Sequence, residues 1–447
     1  MLHAHELIID SFAGGGGASL GIELALGRSP DVAINHDAEA IALHQANHPT
    51  SKHYREDVWQ VDPLEATGGR PVGLMWLSPD CKHFSKAKGG KPVSPRVRGL
   101  AWVAIRWANA VRPRVICLEN VEEFQTWGPL VRATQKPCPA RRGKHFRAFV
   151  RNLERLGYRV EHRQLRGCDY GSPTIRKRLF LIARCDGQPI VWPRPTHGKG
   201  LPKPWRAAAE CIDWSLECRS IFGRPRPLAA NTQKRIAAGM QRYVLGTPRP
   251  FIVQVQNASA SDTPISIDAP LRTITAYPKG GGFALVVAFL AKHQSERDAR
   301  QVQAASLFDP LPTVKARDSN ALVVARLGAD HSDDVHAFLV AYYGKETDGG
   351  DLFSPMRTIT SKERFGLVTV AGQLHAIADI GMRMLAPREL YRAQGFPDSY
   401  KIDIPFNGKP MSKTAQVRMC GNSVCPPVAA AIVAANLGQR LPVAVAA

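Results

Sequence analysis

Over the first 185 residues the chain alternates short apolar runs with amphipathic stretches. Candidate strands lie at 7–12, 32–35, 73–77, 115–119, 159–164 and 179–183. Between them, 38–46, 100–111 and 146–156 carry the apolar spacing of helices. This alternation predicts an α/β domain with a doubly wound, mostly parallel sheet, covered on both faces. After Asp186 the pattern changes. Pro189, Pro193, Pro195, Pro202 and Pro204 punctuate the chain, and two-residue alternation then replaces helical spacing.

This later region repeats itself. Ala269-Pro-Leu-Arg-Thr-Ile-Thr275 returns as Asp309-Pro-Leu-Pro-Thr-Val-Lys315 and as Ser354-Pro-Met-Arg-Thr-Ile-Thr360. An apolar run precedes each copy (251–255, 289–291, 338–341) and another follows it (284–287, 321–324, 367–370). The spacings predict three β-rich units, at about 251–287, 288–324 and 337–370, each with a Thr-rich strand at its centre. Basic residues follow each copy: Lys279, then Lys315 and Arg317, then Lys362 and Arg364. A face that touches nucleic acid is one reading of these loops; shared architecture alone is the other.

Composition narrows the class. Of 447 residues, 44% are apolar and 22% charged, as in ordinary soluble domains. No unbroken apolar stretch reaches the ~18 residues of a membrane span. The strongest, 428–437, is short and follows Pro426 and Pro427. His3, His5, Glu6 and Asp10 interrupt any signal-peptide pattern, so a cytoplasmic location is expected. Lysine and arginine outnumber acids 59 to 38, a net charge of +21 that points to a polyanionic partner. The excess is dense between Arg132 and Arg178, although any one of these cations can simply be solvated. Nine cysteines are scattered without a C-x-x-C pair, which argues against both a zinc ribbon and a disulfide framework. No metal is expected.

Four segments carry chemistry. The first strand runs into Asp10-Ser-Phe-Ala-Gly-Gly-Gly-Gly17, a strand-to-helix turn where a ligand can approach the backbone. The dinucleotide fingerprint G-x-G-x-x-G fails in every register, because Ser19, Leu20 or Ala18 stands where a glycine is required. That argues against a nicotinamide oxidoreductase and for a nucleoside cofactor. Cys81, in Leu77-Ser-Pro-Asp-Cys-Lys-His-Phe-Ser85, follows a strand end at the sheet's carboxyl edge. Lys82 and His83 favour its thiolate, against a free value of about 8.5, and Asp80 opposes them. Glu119 closes an apolar strand and is thereby poorly solvated, suited to proton or hydrogen-bond chemistry unless it merely caps a helix. Arg176 and Arg178, two apart at the start of another strand, point the same way and can clamp an anion or carbonyl together.

Taken in order, these segments resemble the DNA cytosine-5 methyltransferase family. Asp10–Gly17 is similar to its D-x-F-x-G-x-G loop, Cys81–Ser85 to its nucleophile loop, Glu119-Asn120-Val121 to E-N-V, and Arg176-Lys177-Arg178 to R-x-R. Arg388-Glu-Leu-Tyr-Arg-Ala-Gln-Gly-Phe-Pro397 and Gln416-Val-Arg-Met-Cys-Gly-Asn-Ser-Val424 resemble two closing segments. The resemblance covers 1–185 and 380–437. It implies a catalytic domain of 1–185 with 380–447, and a target-recognition domain of 186–379 that holds the repeats.

The resemblance further implies S-adenosylmethionine as cofactor and duplex DNA as partner, with Cys81 as nucleophile and Glu119, Arg176 and Arg178 handling the flipped base. Phe12, Ala13, Gly14, Gly16 and Gly17 would cradle the cofactor. Asp57 and Val58 would meet its adenine edge, and Asn422 and Ser423 would close the pocket. Asn35 stands at the family's ribose-binding acid, so Asp37 is expected to take over part of that role. Two further departures are Asp80-Cys81-Lys82 in place of Pro-Cys-Gln, and Thr174 in place of a glutamine. A monomer is expected. The rival readings are a transfer-RNA cytosine methyltransferase sharing this catalytic domain and a catalytically silent nucleic-acid-binding protein.

Overall fold

The computed structural model describes residues 1–79, 99–131, 138–240, 251–255, 263–274, 282–292, 367–370 and 373–438. Cys81 with its loop, nearly all of the second repeat, and most of the third lie outside the described residues.

The described chain forms two compact units. The first comprises Met1–Cys211, Pro270–Gly280 and Pro387–Ala447; the second comprises Ile212–Ala269 and Gly281–Ala386. The division after the first stretch falls at 211, where the proline-rich shift in sequence suggested 185. The residues from Ile190 to Cys211 contribute buried side chains to the first unit, so prolines here mark a wrapping segment rather than a linker.

In the first unit β1 (Leu7–Ser11), β2 (Val32–Ile34), β3 (Lys52–Tyr54), β4 (Val72–Leu77) and β5 (Val115–Asn120) are parallel. They join β6 (Arg159–Arg166) and β7 (Lys177–Arg184) in the order β3-β2-β1-β4-β5-β7-β6, with β7 antiparallel to both neighbours. The three-residue β3 was not expected; its run is too short and polar to register as a strand pattern.

Strand alternation divides the core. Leu7, Ile9, Met75 and Leu77 face α4 (Val103–Val111) and α5 (Lys144–Arg155), whose Trp107 and Phe149 are fully buried. Ile8, Leu74 and Trp76 face the opposite layer, built from α1 (Gly17–Leu26) and the terminal helix Pro426–Leu437. Here α2 (Ala38–Asn47) and α3 (Pro63–Thr67) complete the helices preceding α4.

The second unit is an antiparallel sheet. Its strands are β8 (Arg219–Ser220), β9 (Phe251–Val255), β10 (Ile265–Ser266), β11 (Gly282–Lys292), β12 (Leu367–Val370) and β13 (Gln373–Met384). The helix α6 (Ala230–Gly239) belongs to the same unit. Two expectations are corrected here. The runs 284–287 and 289–291, read as the end of one repeat and the start of the next, form a single strand, β11, paired along its length with β13. The Thr-rich copy at 269–275 is no central strand of its repeat. Leu271 instead makes a parallel bridge to Thr174, and Pro270–Gly280 belongs to the first unit.

Near the C-terminus lie α7 (Pro387–Gln394), the small hairpin β14 (Pro405–Phe406) with β15 (Lys409–Pro410), α8 (Lys413–Asn422) and α9 (Pro426–Leu437). Lys413–Leu437 is long and apolar enough to cross a membrane by length and composition, but it is two helices and mostly buried within the protein.

Candidate active site

The glycine loop lies at the carboxyl end of β1. Phe12 and Gly14 take positive φ angles of 65° and 50°, and Ala13 N–H donates to Ile34 O at 3.1 Å, tying the loop to the end of β2. Phe12 and Gly14 are half-exposed, whereas Gly15, Gly16 and Gly17 are buried. The buried three serve contacts with the C-terminal segment. Tyr400 Oη donates to Gly15 O at 2.9 Å, and a Cβ on Gly16 would sit 2.0 Å from that hydroxyl oxygen. A Cβ on Gly17 would sit 2.2 Å from both Ser423 Oγ and Val424 O. Gly17 N–H donates to Ser423 Oγ at 3.1 Å, so a serine 406 positions away caps the first turn of α1. Asn422 beside it is exposed. Of Phe12 to Gly17, Phe12 and Gly14 alone keep partial exposure; Ala13 is buried like the last three glycines.

Beneath the loop runs a buried polar chain. Ser19 Oγ–H donates to Asp10 Oδ2 at 2.6 Å, Ser19 Oγ meets His44 Nε2 at 2.8 Å, and His44 Nδ1 meets His53 Nε2 at 2.8 Å. With Ser19 donating to Asp10, its oxygen accepts from His44 Nε2–H, and His44 Nδ1 accepts from His53. Burial holds His44 well below the usual histidine range and pushes the Asp10 carboxyl up to about 7. Asp10 Oδ1 and Ser11 Oγ, both buried at the strand end, make no hydrogen bond among the described residues.

At the end of β2, Asp37 is engaged within the protein. Asp37 accepts from Glu39 N and Ala40 N as the N-cap of α2, and its other oxygen pairs with Arg418 of α8. Arg418 also holds Glu39 at 2.5 Å. Burial alone would raise the Asp37 carboxyl, but the Arg418 hydrogen bond and charge hold it below the usual range. Each of its oxygens thus has a partner within the protein, beside Asn35 at the end of β2. Asn35 is half-exposed, and its Oδ1 accepts from Asp37 N at 2.9 Å. Val58 is buried in the cluster against which Phe12 packs, and half-buried Asp57 accepts from Trp59 N at 3.0 Å. S-adenosylmethionine fits this edge: Phe12, Gly14, Asn35 and Asp57 present partly open positions around a strand end with two unsatisfied buried oxygens.

Across the sheet a pocket is lined by Glu119, Arg176, Arg178, Phe180, Val424 and Cys425. Glu119 is 6% exposed; its Oε1 faces Arg178 Nε at 3.2 Å and makes no hydrogen bond among the described residues. Arg176, 4% exposed, donates from Nη1 to Ile274 O at 3.1 Å. The two arginines thus share the pocket but not the task. Arg178 pairs with the acid, while Arg176 anchors the Pro270–Gly280 segment, helped by Leu271 N–H donating to Pro173 O at 2.8 Å.

Three residues here escaped the sequence reading. Asn120 Nδ2 donates to Pro79 O at 3.2 Å, holding the start of the Cys81 loop beside Glu119. Gln394 Nε2 donates to Cys420 O at 2.9 Å, and its Oε1 accepts from Cys425 Sγ at 3.0 Å, at the pocket wall. Asn120 and Gln394 stand within motifs already quoted, so their signal was present without a role attached; Cys425 falls one residue past the last motif. Burial raises the thiols of Cys117 and Cys211 to about 12, that of Cys168 to about 11, and that of Cys425 as well, which suits inert cysteines.

Comparison with known proteins gives the family and the fold. A type II methyltransferase of Haemophilus parahaemolyticus, M1.HphI, is 28% identical over 42% of this chain and 48% of its own length. M.AgeI of Thalassovita gelatinovora is 29% identical over 43% of this chain and 42% of its own. The chain thus spans about half the length of these relatives. A crystal structure of Spodoptera frugiperda DNMT2, in mutant form, shares the fold at 15% identity with a TM-score of 0.52, covering 95% of this chain and 97% of that one. The family model for C-5 cytosine-specific DNA methylases matches residues 7–210 and 313–437, and the chain belongs to that family.

Proposed function

We propose that this protein methylates C5 of a cytosine flipped out of duplex DNA, with Cys81 as nucleophile. The observation that carries the reading is Glu119, nearly buried beside Arg178, next to an Asn120 that holds Pro79 two residues before Cys81.

C5 of cytosine is too weak a nucleophile to react unaided. The Cys81 thiolate attacks C6, forming an S–C6 bond and giving C5 enamine character. Glu119 hydrogen-bonds the N3 and amino edge of the base, stabilising charge on the ring in a water-poor site. Arg178 holds Glu119 in that orientation and balances its charge. S-adenosylmethionine, when bound, supplies an electrophilic methyl group. Loss of the C5 proton and elimination of the Cys81 sulfur then restore the aromatic ring and the free thiol. Reaching C5 and C6 requires the base to leave the stack, at a few kcal/mol. The β-rich unit and its repeats are the part we assign to target recognition.

The test is trapping on duplexes carrying 5-fluorocytosine, which lack the C5 proton needed for release. The wild type should give a covalent complex, and Cys81→Ser should give none and transfer no labelled methyl group while still binding cofactor. An active Cys81→Ser protein would overturn the covalent mechanism. Trapping on RNA but not DNA would give the chain to the transfer-RNA reading instead.

A further inference from the structure

The basic stretch between β5 and β6 has an organisation that the active site does not use. α5 buries Phe146, Phe149 and Leu153 on one side. Its other side presents Lys144, Arg147, Arg151 and Arg155, all exposed. Spaced by three and then four residues, they form one continuous stripe, roughly 16 Å long at 1.5 Å per residue. Among the described residues no carboxylate pairs with any of the four. Glu154 is the only acid on the helix. Like charges at this spacing repel one another, and Lys144 in the first turn opposes the helix dipole. A purely solvated face gains nothing from that arrangement.

The stripe also starts in a telling place. β5 ends at Asn120, and the short turn Glu122–Thr126 follows at once. Gly143 N–H donates to Thr126 O at 3.1 Å, and His145 N–H to Trp127 O at 2.9 Å, so α5 begins at the catalytic rim. From there it runs back along the outside of the sheet. A duplex has one phosphate per ~3.4 Å of axis on each strand, a pitch that four flexible cations over this length can follow.

We propose that the outer face of α5 is a second DNA contact, a track for the phosphate backbone of duplex flanking the methylated base. It rests on the DNA-methylating reading above and adds where the flank is held. The track reads no sequence; it contributes salt-dependent affinity and retention on DNA.

The test is binding of a long non-specific duplex as a function of salt, with wild type and a Lys144→Gln, Arg147→Gln, Arg151→Gln, Arg155→Gln variant. Each phosphate contact contributes about 0.9 to the slope of log K against log salt, so the variant's slope should be shallower by about 3 to 4. Methyl transfer at low salt and saturating DNA should be unchanged. A companion variant with the three arginines changed to lysine should keep the wild-type slope. A quadruple variant that methylates normally and keeps the full slope would overturn the track alone. A wild type that binds no duplex at low salt would overturn the methylating reading with it. Wild-type slopes lost equally in both variants would point to helix damage rather than charge, and would also count against the track.

Discussion

At the glycine loop, one half of the catalytic edge, closeness is the governing feature. Gly16 and Gly17 have no room for a Cβ because Tyr400, Ser423 and Val424 already occupy the space. At the acid pocket, the other half, charge governs. Glu119 lies nearly out of water, paired with half-buried Arg178, which also donates to Lys177 O. The first half joins distant parts of the chain; the second leaves Glu119 Oε1 without a hydrogen bond among the described residues, as the proposed base contact requires. Damage to the first should therefore read out mainly as stability and to the second mainly as rate.

The largest expected effect lies in the pocket. Glu119→Gln keeps the shape and removes the charge, and it should lower kcat for methyl transfer about 100-fold or more with cofactor affinity unchanged. A rate within a few-fold of wild type would break the contrast between the halves.

Next comes the loop. Gly17→Ala forces a methyl group into the Ser423 and Val424 contacts and should destabilise the protein by about 2–3 kcal/mol. Gly14→Ala meets nothing closer than Phe12 O at 3.5 Å; it should cost only the strain of its positive φ, about 1 kcal/mol. Equal midpoints in urea for the two variants would show that the buried glycines are not packing positions.

Under the loop, Asp10 gives a pH signature. Its folded pKa is raised to about 7, so between an unfolded value near 4 and about 7 the folded state holds a proton that the unfolded state releases. Stability from this group is present below that window and lost as pH rises through it. Urea unfolding from pH 4.5 to 8.5 should show Asp10→Asn gaining on wild type by on the order of a few kcal/mol, then levelling off. A constant difference across that range would remove the titration. The groups facing Asp10 are Ser19, Tyr400 and, through Ser19, His44. The smallest effect is Ser423→Ala, which removes the cap on α1 and should cost about 1 kcal/mol without changing kcat.

Much of the fold was legible because strands buried on both faces read as continuous apolar runs. β1, β4 and β5 are buried throughout and apolar up to the Asp10-Ser11 and Glu119-Asn120 pairs that close β1 and β5, and their positions lie within a residue or two of the expected ones. Glu119 stood out as an acid at the end of such a run. The Asp37 ion pair was not legible, because a side chain's pairing depends on what the other end of the chain delivers; Arg418 lies 381 positions away. The first Thr-rich repeat misled for the same reason. Among its described residues, Leu271, Arg272 and Ile274 bond Pro173, Thr174, Ile175 and Arg176, beside the local bond from Ala269 N–H to Ser266 O.

By itself, the sequence determined which positions form most of the sheet, that an acid closes one of its central strands, and how much positive charge the chain carries. These follow from local spacing and composition, which act over a few residues. Tertiary structure alone decided which glycines of the loop are packed against the C-terminal segment, which arginine pairs with Glu119, and that four cations of α5 lie exposed together. Each of these depends on groups brought together across tens to hundreds of residues, and local pattern holds no record of such meetings.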